Sequence, residues 1–91
     1  MELGALLLLV AHRHRIAGGD AEAALEAFRK ASGHPVAADE FMTSVASAVA
    51  AGDLHDPVRI APGALQCSWR LELAPAGARK VAEMLARGDA R

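Results

Sequence analysis

The sequence predicts a mainly helical fold closed by a small antiparallel β-hairpin, in the order three helices, two strands and a last helix. Three observations lead there. Apolar residues recur at helical spacing up to Ala51, the period then changes to two between Val58 and Leu73, and Pro75 stands where a helix can restart.

The first helix is expected within residues 1–17, from about Leu3 to Arg15. Leu3, Leu6, Leu7, Val10 and His14 share one face at the spacing of a core-facing stripe. Leu8 and Leu9 fall off that stripe, so the helix is apolar nearly all round and a second surface must cover them. Either the domain wraps this helix on two sides, or Leu8 and Leu9 form a partner interface, including that of a homodimer.

Residues 20–52 read as two helices joined by a tight turn. Gly18-Gly19 ends the first segment, and Asp20 is placed to cap the next helix. Ala21, Ala24, Leu25 and Phe28 then mark a buried stripe, with Glu26 and Lys30 paired outside. Gly33 and Pro35 break that helix. A third helix runs from Ala37 or Ala38 to Ala51, with Phe41, Met42, Val45, Ala48 and Val49 inward and Gly52 as its stop. In a helix-turn-helix, this third helix is the one offered to a groove.

Residues 53–73 alternate. Val58 and Ile60 flank Arg59, while Cys67, Trp69, Leu71 and Leu73 alternate with Ser68, Arg70 and Glu72, the pattern of strands with one buried face. Pro62-Gly63 supplies turn chemistry between them. The closing helix is expected over 75–86, lined by Ala78, Val81, Ala82, Met84 and Leu85, with 87–91 as a frayed tail.

Composition bounds the function. Ninety-one residues make one small domain of marginal core size. Ten Lys+Arg against eleven Asp+Glu give a formal charge of −1, which excludes a strongly basic arm, so any DNA binding must come from a local patch. The single Cys67 cannot form an internal disulfide and is read as an inward-pointing small hydrophobe. The apolar run Leu3 to Ala11 lacks a cationic leader and a cleavage site and is too short to span a bilayer, so a cytoplasmic protein with no membrane partner is expected.

The stretches Ala48-Val49-Ala50-Ala51-Gly52-Asp53-Leu54 and Trp69-Arg70-Leu71-Glu72-Leu73-Ala74-Pro75-Ala76-Gly77-Ala78-Arg79 resemble the end of the third helix and the wing-to-helix join of winged helix-turn-helix repressors of the PadR-like and MarR-like kind. The opening Glu2-Leu3-Gly4-Ala5-Leu6-Leu7-Leu8 resembles their apolar first helix. The resemblance covers most of the chain as pattern and topology, and implies a winged helix whose hairpin is the wing and whose role is transcription regulation. Two departures stand out. Ala74 replaces the usual Thr, which removes a cap worth on the order of 1 kcal/mol. The outward positions of the third helix, read as Asp39, Glu40, Thr43, Ser44, Ser47 and Ala51, include none of the Arg, Lys, Asn or Gln that read base edges.

Candidate nucleic-acid contacts are therefore backbone contacts: Arg59 and Arg70 on the outer faces of the wing strands, Arg29 and Lys30 beside the turn, and the hydroxyls of Thr43, Ser44 and Ser47. Arg59 and Arg70 have solvated strand positions, paired with Glu72 or Asp56, as their simpler reading. Arg13 and Arg15 finish the first helix. His12 and His14 lie roughly 200° apart on a helix and cannot share an ion, so no metal is expected. No phosphate cradle, nucleophile with a base, or cofactor motif appears, which argues against an enzyme. Two functional readings result: a DNA-binding transcriptional regulator using wing and helix-turn-helix backbone contacts, or a non-catalytic winged-helix module that binds a protein partner and does not read DNA.

Overall fold

The apolar density of the first helix determines how the rest is arranged. In this computed structural model, which describes residues 2–60 and 67–88 and, within them, all side chains but those of residues 59, 60 and 67, helix α1 spans Leu3–Arg13. Leu7, Leu8, Leu9 and Val10 are all buried, and a helix buried on every side must lie within the fold. It packs against the three other helices, α2 (Ala21–Ser32), α3 (Ala38–Ala50) and α4 (Pro75–Ala86).

This corrects the reading of Leu8 and Leu9 as a partner or homodimer surface. They are 6% and 5% exposed in the single chain, because α1 is packed among the other three helices, with Leu8 beside Ala48 of α3 and Met84 of α4. His14 is corrected too. The helix stops at Arg13, His14 turns to extended backbone, and its side chain is exposed rather than on the buried stripe.

After α1 the chain forms a short strand that the sequence pattern does not announce. Strand β1, Ala17–Gly18, pairs antiparallel with β3 (Cys67–Arg70), which also pairs with β2 (Val58–Ile60), giving a three-stranded sheet in the order β1-β3-β2. Ile16, almost fully buried, accepts a bond from the Leu71 N–H at 2.9 Å and extends the pairing. Gly18 is required there by proximity: a Cβ on it would lie 2.6 Å from the Cβ of Ala23, so β1 rests directly on α2.

Asp20 caps α2 by accepting from the Ala23 N–H at 2.8 Å, and Gly33 ends it in the left-handed region, φ 72°. Phe28 from α2, Phe41 from α3 and Trp69 from β3 stack in a row, with ring centroids 5.3 Å and 5.6 Å apart. That row fixes both helices to the sheet. Beyond α3, Leu54 bridges to Leu73 and the His55 N–H donates to the Glu72 oxygen at 3.0 Å, which carries the pairing past the hairpin.

Several inward assignments shift. Met42 is 43% exposed, so the core face of α3 is Phe41, Val45 and Ala48, with Val49 half-buried and packed against the core as expected. Val58 is 45% exposed because β2 is an edge strand. On α4 the buried residues are Gly77, Val81 and Met84, whereas Ala78, Ala82 and Leu85 lie exposed. The 78-82-85 spacing is helical, but the close approach of Gly77 to the turn after α3 rotates the helix so that this row faces out. The inward reading of Cys67, the turn at Pro62-Gly63 and the last residues of the tail lie outside the described structure. Among the described residues no helix is long and apolar enough to cross a membrane.

Candidate functional site

The exposed side of α3 carries Asp39, Met42, Ala46 and Ala50, successive positions at three- and four-residue spacing, with Thr43 beside them. Its first turn holds Asp39 and Glu40 at the positive end of the helix dipole, an arrangement that stabilises the helix and repels phosphate. With Glu40 and Ser47 also exposed, this helix presents two carboxylates, two hydroxyls, one thioether and small apolar groups. It has no side chain able to make a bidentate bond to a base edge.

Thr43, at the edge of that side, continues into the flank of α3 with Ser44 and Ser47. All three line a groove of about 440 Å³ between α3, the start of α1 and α4, where Ser44 is half-buried and Thr43 and Ser47 are exposed. Ser44 is thus turned from the outer face that sequence spacing suggests. Across the groove, Lys80 donates to Asp53 at 2.7 Å. Asp53 is the buried charged residue of the core, and its other carboxylate oxygen has no partner among the described residues.

Arg29 is committed to the fold. Its Nε donates to the Val36 carbonyl at 2.9 Å and its guanidinium pairs with Glu26, so it clamps the turn between α2 and α3. This replaces the expected Glu26–Lys30 pair, since Arg29 already holds Glu26; Lys30 is exposed at the end of α2. Arg70 is half-buried and pairs with Glu72 at 3.1 Å, as the simpler reading of that residue has it. Arg59 stands opposite Ser68 in the hairpin, and its side chain lies outside the described residues.

The structure also juxtaposes residues that sequence distance separates. His12, Arg13, His14 and Arg15 are all exposed at the end of α1, and because β1 pairs with β3 they meet Arg70, with Ala17 opposite it in register. The signal for this cluster lay in β1, whose two residues are too few to show a period. Among the described residues, no group of His, Cys, Asp and Glu is arranged to hold a metal ion. No family model, curated protein or solved structure matches this chain.

Proposed function

We propose that this chain is a winged-helix module that binds duplex DNA as a transcriptional regulator, through the sugar-phosphate backbone rather than base edges. The observation that carries the reading is the sequence of elements: a helix pair joined by a tight turn, then an antiparallel hairpin, then a closing helix packed on α1. The step from that arrangement to DNA is analogy of fold. The limit to backbone contact comes from the residues themselves, because α3 lacks base-reading side chains while Lys30, Arg59 and Thr43 suit phosphate.

The test is binding to a mixed-sequence duplex as salt is raised from about 50 mM. The expected result is retention at low salt, a steep loss with added salt, and equal affinity for duplexes of unrelated sequence. No retention at low salt overturns the reading.

A second reading, a non-catalytic module that docks a protein, is favoured by the apolar row Met42, Ala46 and Ala50 on exposed α3 beside two acids. Sedimentation of the wild type and Met42→Arg tests its homodimer form. A mass that is monomeric in both at high concentration removes that form.

A further inference from the structure

We infer that the DNA backbone is held chiefly by the cationic end of α1 together with Arg70, and that α3 and the hairpin are secondary to it; this rests on the duplex-binding reading above. The helix ends at Arg13 and the chain leaves it extended, which spreads His12, Arg13, His14 and Arg15 along the surface instead of winding them around an axis. The pairing of β1 with β3 then brings Arg70 to the same place. Two adjoining shallow concavities, of about 500 and 330 Å³, share Arg15 and Arg70, so the cations lie along one shallow stretch of surface.

Within it, three guanidinium groups face one carboxylate, Glu72, on a chain whose formal net charge is −1. Arg70 is held in place by its bond to Glu72 at 3.1 Å, its Nε is buried, and its side chain as a whole stays 40% exposed. A guanidinium oriented by a carboxylate and still partly exposed, beside the exposed Arg13 and Arg15, suits a phosphate oxygen. The partial negative charge of a helix C-terminus, about half a charge, is too small to cancel three arginines.

A shallow concavity between a helix end and a strand fits the ridge of a phosphodiester backbone. A lipid surface fits less well, since the apolar residues here are buried or half-buried (Leu71, Leu73 and Ala11) and offer nothing to insert. The acids at the start of α3 point the same way, because they oppose phosphate where a reading helix would meet it.

Fluorescence anisotropy with a labelled mixed-sequence duplex tests this, using the full chain. Arg13→Glu with Arg15→Glu should weaken binding at least about tenfold and lower the salt slope by about two, one unit per lost phosphate contact. Both side chains are exposed, so circular dichroism should stay unchanged; Arg13→Ala with Arg15→Ala is the milder pair if it does not. Lys30→Glu should cost less than threefold. If the arginine pair leaves affinity unchanged while Lys30→Glu or Arg59→Glu abolishes it, the site is wrong and the duplex-binding reading stands. If the wild type ignores the duplex, or binds only phosphatidylserine vesicles, both are overturned.

Discussion

A Cβ built on Gly77 would lie 2.1 Å from the backbone oxygen of Asp53, so the first turn of α4 is seated directly on the turn that follows α3. The same oxygen accepts the Ala74 N–H at 2.9 Å, and the Asp53 N–H donates to the Ala48 oxygen at 2.9 Å. One residue thereby links the end of α3 to the start of α4. Because the obstruction is backbone, no rotamer change relieves it, and Gly77→Ala should destabilise the domain by about 3 kcal/mol through overpacking. Urea unfolding checks this; a variant as stable as wild type would show that α4 does not sit this close.

Lys80 and Asp53 should be unequal partners. The carboxylate is 7% exposed and the lysine side chain 54%, so removing the lysine strands a buried charge, whereas the lysine alone remains solvated. Lys80→Ala is expected to cost about 1 to 3 kcal/mol. In the Asp53→Asn background the same change should cost clearly less, and a double-mutant cycle with equal losses in both backgrounds would rule out the coupling.

Leu8 and Leu9 make a folding prediction. Each →Ala variant should lose about 2 to 5 kcal/mol, and each →Glu variant should lose the cooperative thermal transition altogether, since a domain of this size has little more stability than that. Folded →Glu variants that merely dissociate from a partner would return these residues to a surface.

Adjacent positions on α3 should differ sharply. Phe41→Ala removes the middle ring of the Phe28–Phe41–Trp69 row and should cost about 3 to 5 kcal/mol. Met42→Ala, on the exposed side, should fall within about 0.5 kcal/mol of wild type. Comparable losses at the two would mean that α3 is rotated from the orientation described.

The mainly helical plan with a small antiparallel hairpin was legible because its signals are local. Asp20 and Gly33 bracket α2, Pro75 opens α4, and Trp69 and Leu71 keep strand parity. What failed to show was orientation where several faces are equally apolar. Alanine at 46, 78 and 82 fits inside or outside, so its side was settled by neighbours, such as the seat that Gly77 finds on Asp53. The candidate site was less legible still. Arg29 reads as a surface cation until the Val36 carbonyl is placed beside it, and Arg70 reads as a hairpin residue until β1 brings Arg15 next to it.

The central place of β3 has a consequence for how the protein is made. Ile16, Ala17 and Gly18 are paired with Trp69, Arg70 and Leu71, more than half the chain later. A nascent chain on the ribosome can wind its helices early, but it must wait for the far strand before the sheet can close around them. Assembly is therefore a late event governed by closure of one long loop, and a product truncated before that strand would also lack α4 and leave that side of α1 uncovered.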